Sequence, residues 1–177
     1  MTNRIRRGAV LASLASLASI PALAADPVPD SRYAGETTQR GHLRFEFRIS
    51  EDGDRVERLF TQFRAPRCER AENGTQGSIR VRSIRLDEDG TFFRRGRERA
   101  RLRPSGAFEG GTQIERFRIR GRFPTTDRGR GRLRVTVEVR NRAGETIDTC
   151  RMGRRIVRWS ADRLGVDPDP DYSIPAA

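Results

Sequence analysis

The chain has 177 residues, 36 basic and 24 acidic side chains, a net charge of +12 and a mean hydropathy of −0.74. This length suits one domain with a single core, and beyond the N-terminus there is no run of about 20 apolar residues for a membrane span. All the basic residues are Arg. A GC-rich genome would produce the same enrichment, so composition alone does not assign it a function.

The N-terminus predicts a signal peptide over residues 1–24. Arg4, Arg6 and Arg7 precede an apolar run from Ala9 to Ile20, and Ala22-Leu23-Ala24 is a cleavage site of the small-x-small kind. A membrane anchor is the alternative, but the run is short and rich in Ala and Ser. We therefore expect an exported protein, periplasmic or extracellular. Removal of the leader leaves 33 Arg against 24 acids, a net charge of +9.

The rest of the chain divides by composition. Residues 25–31 contain Pro27 and Pro29 without periodicity, which predicts a flexible lead-in. Residues 32–161 form the predicted β-domain. Residues 162–177, with alternating Asp and Pro at 167–171, predict a disordered tail.

Alternating apolar and polar residues mark the first strands. Residues 43–49 predict a strand, 51–54 a hairpin turn, and 56–63 the return, with a phase slip at Arg58-Leu59 that is typical of a β-bulge. Residues 65–77 predict a loop. A third strand with a second slip covers 79–86, and 87–90 predict another turn.

The second half of the domain has the clearest alternation. Residues 94–111 predict either a long loop or a frayed edge strand, whereas 114–123 predict a strand. Residues 124–131 read as a connection, followed by a hairpin with arms at 133–139 and 145–150 and a last short strand at 154–159. Trp159, the only Trp, is expected to be buried.

These elements predict an all-β, single-domain, antiparallel fold of about seven or eight strands, either a β-sandwich or a small β-barrel. The two cysteines, Cys68 and Cys150, are 82 residues apart. An even, minimal count in an exported chain predicts a disulfide between them.

Several short motifs are spread along the domain, each at one place. Their letters are Y-x-G-x-T from Tyr33, Cys68, D-G-T-F from Asp89, G-x-F from Gly121, C-x-x-G from Cys150 and W-S-A from Trp159. This combination resembles a pattern in uncharacterised secreted bacterial β-proteins. The resemblance implies a β-fold and export, and it brings no established activity and no catalytic residue.

No residue pattern predicts catalysis, a cofactor or a metal. His42 is the only His, and no sequence signature gives it a nucleophilic partner. The acids at 52–54 and 87–90 lack the full ligand spacing of a calcium loop, and acids are common in hairpin turns. No Gly-rich phosphate loop opens a helix. Carboxylate pairs for a hydrolase cannot be selected from 24 acids by sequence.

The alternating spacing of the Arg residues is the one sequence feature that points to a binding surface. Residues two apart on a strand share a face, so one predicted strand carries a row of Arg about 6.6 Å apart, with two more on the neighbouring arm. The predicted anion-binding residues are Arg116, Arg118, Arg120, Arg122, Arg132 and Arg134. Arg95, Arg97, Arg99, Arg101 and Arg103 could add a further row. The alternative is a solvated face neutralised by Glu115, Glu138 and Glu145.

Three functions follow from these observations. The chain is expected to be a structural or adhesive β-domain or interaction module. The first alternative is a module that binds an anionic envelope or extracellular polymer, or an acidic protein surface, through guanidinium groups. The second is a hydrolase of envelope polymers. The sequence predicts no oligomeric state.

Overall fold

The computed structural model describes residues 25–72, 74–101, 111–153 and 156–165, and these form a single all-β structure without a helix. The predicted signal peptide and Arg103 lie outside the described residues, as does the predicted tail beyond residue 165. The ten strands are β1 Arg32–Thr37, β2 Arg44–Ile49, β3 Arg55–Ala65, β4 Arg67–Cys68, β5 Thr75–Arg85, β6 Thr91–Arg101, β7 Thr112–Thr125, β8 Arg128–Arg140, β9 Thr146–Arg151 and β10 Val157–Arg163. The predicted all-β antiparallel class is confirmed.

One antiparallel sheet curls into a half-barrel. From β6 it runs through β7, β8, β10, β1, β2 and β3 to β5. The long strand β8 has two neighbours on one edge, because residues 128–133 pair with β10 and residues 136–140 pair with β9. The same strand pairs along its other edge with β7. β8 therefore connects β7 on one side to both β10 and β9 on the other.

The predicted hairpins and the bulge on β3 are confirmed. Between β2 and β3 the register shifts from Arg48 opposite Glu57 to Glu46 opposite Phe60, which places one extra residue on β3. Arg58 lies in this bulge with a φ of 50°, a conformation that β-bulges accommodate. The pairing of β3 with β5 continues through this region without a register shift. The second phase slip, predicted on β5, is therefore not a shift of register. At this point β3 and β5 both change which parity of side chains they bury, and their pairing stays continuous.

Some element boundaries differ from the prediction. The sequence predicted no strand at residues 32–37, which form β1, and it predicted a loop where the two-residue β4 lies, because short strands next to Gly, Thr and Pro have no clear alternation. The last strand begins at Val157 and extends to Arg163, two residues past the predicted end of the domain. Of the two alternatives for residues 94–111, the described part to Arg101 forms an edge strand, β6, in which few side chains are buried.

An aromatic cluster fills the concave side of the sheet. Trp159 is 2% exposed, which confirms the predicted burial, and its ring stacks on Phe45 with a centroid distance of 4.1 Å. Tyr33, Phe47, Phe92 and Phe123 complete the cluster. Full burial of such rings supplies the largest share of the apolar area removed from water.

Two directly paired glycines make room for the Trp159 ring. Gly121 on β7 lies opposite Gly131 on β8. A Cβ at Gly131 would lie 2.7 Å from ring atoms of Trp159, and one at Gly121 would lie 2.6 Å from the same ring. The indole thus packs against bare backbone, directly behind the middle of the Arg-rich strands.

A disulfide joins β4 to β9. Cys68 and Cys150 are bonded and are also direct cross-strand partners, which confirms the predicted bond. The buried Asp148 beside it accepts hydrogen bonds from the backbone N–H groups of residues 69, 70 and 71 at 2.9–3.1 Å. Burial by itself would raise the pKa of Asp148, but these donors and the N–H of Thr149 outweigh it and lower the pKa. The acid therefore stays charged and holds the loop after β4.

Candidate anion-binding face

Most Arg residues of β6, β7, β8 and β10 lie in register on the convex, outer side of the sheet. The pairs Arg118 with Arg134 and Arg120 with Arg132 are directly opposite one another. Neighbouring strands are about 4.8 Å apart, and alternate residues on a strand about 6.7 Å apart, so the guanidinium stems form a two-dimensional grid. All six predicted anion-binding residues are exposed on this side: Arg116, Arg118, Arg120, Arg122, Arg132 and Arg134.

The row that the sequence suggested on β6 is part of this grid, since Arg95 and Arg97 lie opposite Arg118 and Arg116. Two further Arg residues make the grid wider than predicted. On β10, Arg158 lies opposite Arg132. On β8, Arg130 lies opposite Arg122. We call the outward side chains of these four strands the Arg face.

Sequence reasoning missed Arg130 and Arg158 for different reasons. Arg130 lies between Gly129 and Gly131, which read as loop residues. The period-two spacing of Arg128, Arg130 and Arg132 was the available signal, because Gly can occupy the inward positions of a strand where a ring packs against the backbone. The position of Arg158 depends on the pairing of β10 with β8, and the residues around Arg158 do not indicate which strand β10 pairs with.

The acids expected to neutralise this surface are elsewhere or already paired. Glu115 points into the concave side and is 3% exposed. Glu145 hydrogen-bonds Asn141 in the β8–β9 turn. Glu138 is on the outer side, where it pairs with Arg116 at 2.7 Å and Arg140 at 3.1 Å. The hydrogen bond from Arg116, and secondarily that from Arg140, lowers the pKa of Glu138 against the effect of burial.

The middle of the Arg face therefore has no acidic partner. Within the described parts of the chain, no carboxylate lies within 4 Å of the guanidinium nitrogens of these residues: Arg118, Arg120, Arg122, Arg130, Arg132, Arg134 and Arg158. Like charges placed directly opposite one another across strands destabilise a sheet. The fold tolerates this arrangement without neutralising it.

A groove of about 990 Å³ crosses the Arg face. Five guanidinium-bearing residues line it, namely Arg120, Arg122, Arg130, Arg132 and Arg158. The ring of Phe93, which is 49% exposed, lies beside them with the Arg120 guanidinium carbon 5.8 Å from its centroid. Three hydroxyl residues and one acid complete the polar lining: Thr38, Thr91, Ser160 and Asp87.

The other predicted candidates do not assemble into a site. His42 is 81% exposed in the β1–β2 turn, where its Nδ1 lies 2.7 Å from Glu36 Oε1. Acids of the β2–β3 turn and of the β5–β6 turn line a second pocket of about 280 Å³, and one of them, Asp87, also lines the groove. In the described residues their oxygens do not converge as metal ligands. The one converging set, Cys68, Asp148 and Cys150, contains the disulfide, whose sulfurs are not free thiolates.

Two acids face each other on the concave side of the sheet. Glu115 lies opposite Glu98 of β6, and its Oε1 accepts a 2.8 Å hydrogen bond from Gln113 while its Oε2 has no partner among the described residues. Burial raises the pKa of Glu115 to about 7, the Gln113 hydrogen bond opposes this shift, and Glu98 adds to it. Neither acid lines the groove on the Arg face.

The fold and this surface define an all-β domain with an unneutralised Arg-rich outer face. Comparison of the chain with models of protein families, with curated proteins and with solved structures gives no match. In the described part of the chain, no helix has the length and apolar character needed to cross a membrane.

Proposed function

We propose that this chain is an exported β-domain that binds anionic polymers through the Arg face. The observation that carries the proposal is the set of directly opposed Arg residues without acidic partners on β7, β8 and β10. Guanidinium groups bind phosphate, sulfate and carboxylate with forked hydrogen bonds, and a grid of them holds repeated anions better than single ions. A purely structural role would not require this uncompensated repulsion.

Export belongs to the proposal as well. The predicted leader directs the chain out of the cytoplasm, and the Cys68–Cys150 disulfide is compatible with an oxidising compartment. The polymers available there are envelope and extracellular polysaccharides, phosphate-bearing lipids and the surfaces of acidic proteins. Their shared feature is a dense array of fixed negative charge.

The test removes one directly opposed pair from the groove. Arg120→Gln with Arg132→Gln keeps two polar side chains and removes two charges. We expect weaker binding to polyphosphate and to an acidic polysaccharide, and a shallower dependence of affinity on salt, because fewer counterions are released. Isothermal titration at three salt concentrations measures both quantities.

A matched variant controls for net charge. Arg70→Gln with Arg142→Gln removes two exposed Arg that lie in loops, one after β4 and one in the β8–β9 turn, and neither belongs to the Arg face. This control should retain the wild-type affinity and salt slope. Equal losses in the two double variants would show that total charge, and not the Arg face, governs binding, and the proposal would be wrong.

A further inference from the structure

We infer that the groove on the Arg face selects anionic polysaccharides over other polyanions. This inference rests on the proposed function and specifies its ligand class. It derives from five of the groove residues that are not Arg, which supply one exposed aromatic ring, one carboxylate and three hydroxyl groups. A site for bare phosphate chains has no use for any of them.

The ring of Phe93 is positioned to contact a flat, partly apolar unit of a polymer. It lies opposite Arg120 across β6 and β7 and is half exposed at the groove. The guanidinium of Arg120 lies 5.8 Å from the ring centroid, so the same pair offers an apolar surface and a forked donor side by side. An acidic sugar unit has the matching combination of a C–H face and a carboxylate or sulfate.

Asp87 gives the groove a negative group among five positive ones. Its Oδ2 lies 3.3 Å from the Thr91 hydroxyl, which is closer to Asp89 Oδ1 at 2.7 Å, and its Oδ1 has no hydrogen-bond partner among the described residues. A carboxylate repels phosphate but accepts hydrogen bonds from hydroxyl groups. Sugar hydroxyls supply such donors, whereas polyphosphate has none along its chain.

The hydroxyls on the other side of the groove complete the pattern. Thr38 and Ser160 come from different elements, the turn after β1 and strand β10, and both line the groove with Arg158. Hydroxyl side chains both donate and accept, as sugar hydroxyls do. Together, the charges would bind the acidic groups, while the ring and the polar residues would distinguish a sugar chain from other polyanions.

The experiment compares three probes at the same ionic strength: polygalacturonate, polyphosphate and an oligo(dT) strand. The wild-type protein should bind polygalacturonate most tightly per anionic group. Phe93→Ala and Asp87→Asn should each weaken polygalacturonate binding by about three- to tenfold and leave polyphosphate binding unchanged or, for Asp87→Asn, slightly tighter.

Phe60→Ala is the matched control for the loss of a ring. Phe60 also lies near Arg guanidiniums, those of Arg44 and Arg80, but it is outside the groove. It should not change the ranking of the probes. Thermal melts of every variant establish that the sheet is intact.

The outcomes separate this inference from the proposed function. If Phe93→Ala weakens all three probes equally, or if the wild-type ranks polyphosphate first, the selectivity for sugars is wrong while polyanion capture stands. If oligo(dT) ranks first and loses most on Phe93→Ala, the ring stacks on bases and the ligand is a single-stranded nucleic acid instead. Failure to bind any probe refutes both proposals.

Discussion

Two acidic residues on the concave side of the sheet, Glu115 and Glu98, lie where their charged forms are disfavoured. Glu115 is almost fully buried, one of its oxygens has no partner among the described residues, and it lies directly opposite Glu98. Glu98 is shifted in the same direction, because burial raises its pKa while the N–H of Arg80 opposes that change. Charging either acid is therefore unfavourable in the folded state.

The predicted consequence is a decline of stability with rising pH. The folded pKa of Glu115 is about 7 against an ordinary value of 4.5, so between these pH values the folded chain binds more protons than the unfolded chain. Stability is highest below about pH 4.5 on this account, falls by about 3 kcal/mol up to pH 7, and is then level. Glu115→Gln should remove this fall, as measured by urea unfolding at pH 5 and pH 8.

Glu138→Gln is the control of opposite sign. The Arg116 hydrogen bond lowers the pKa of Glu138, so its contribution is present at neutral pH and disappears in acid. At pH 8, Glu115→Gln should be more stable than the wild type and Glu138→Gln less stable. Glu138→Gln should retain most of the wild-type difference between pH 5 and pH 8, and if Glu115→Gln retains it as well, the fall does not come from Glu115 and the assigned burial effect is wrong.

At the scale of elements, β8 organises the fold because it pairs with three other strands. Its residues 136–140 pair with β9, and β9 carries the disulfide to β4. β4 has only two residues and pairs only with β9. The disulfide and the Asp148 hydrogen bonds are therefore what hold the segment between β3 and β5 against the sheet.

The predicted effect of losing the disulfide follows from its loop. Cys68→Ala with Cys150→Ala opens a loop of 82 residues, which should cost about 4 kcal/mol in the chain-entropy description. Hydrogen exchange should show the greatest loss of protection at residues 67–71 and in β9, with β1 and β2 changed least. Uniform loss across all strands would mean that β4 is not an independent unit.

Two edge strands of the sheet, β5 and β6, approach each other and give the whole molecule its curled shape. β5 and β6 end the order of strands, and the backbone N–H of Arg80 on β5 donates to the Glu98 side chain on β6 at 3.1 Å. A side chain thus replaces a ladder hydrogen bond where the half-barrel would otherwise close. Apolar groups fill the concave side, while positive charge collects on part of the convex side.

The charge distribution predicts that salt stabilises the whole molecule. Opposed Arg pairs repel each other strongly at about 10 mM salt, where the screening length is about 30 Å, and much less at 150 mM, where it is about 8 Å. Raising sodium chloride between these values should raise Tm by a few degrees, on the order of 1 kcal/mol. The groove double variant of Arg120 and Arg132 should show a smaller rise, measured by calorimetry.

The double variant of Arg70 and Arg142 serves again as the comparison. It carries the same net charge, but its two residues lie in loops and face no Arg across a strand pair. Its salt-dependent rise should stay close to that of the wild type. If the two double variants respond alike, the repulsion is a property of net charge and not of the paired rows.

The sequence by itself determined the features that depend on neighbouring residues along the chain. Period-two alternation identified most strands, the phase slip at Arg58-Leu59 identified the bulge, and parity placed four Arg on one side of β7. These features are local because side chains of a strand alternate between its two faces. The cysteine count also identified the disulfide, since there was only one pair to form.

The tertiary structure alone decided which strands lie side by side, and therefore the site. Core packing of Trp159 against Gly121 and Gly131 aligns β10 with β8 and β7, and this brings Arg158 beside Arg132. The inward position of Glu115, by contrast, follows from alternation along β7 alone, because its parity is opposite to that of the Arg residues it was expected to neutralise. The register between strands that are distant in sequence is set by burial in the shared core and by backbone pairing. The residue pattern of one strand does not indicate which strand it pairs with.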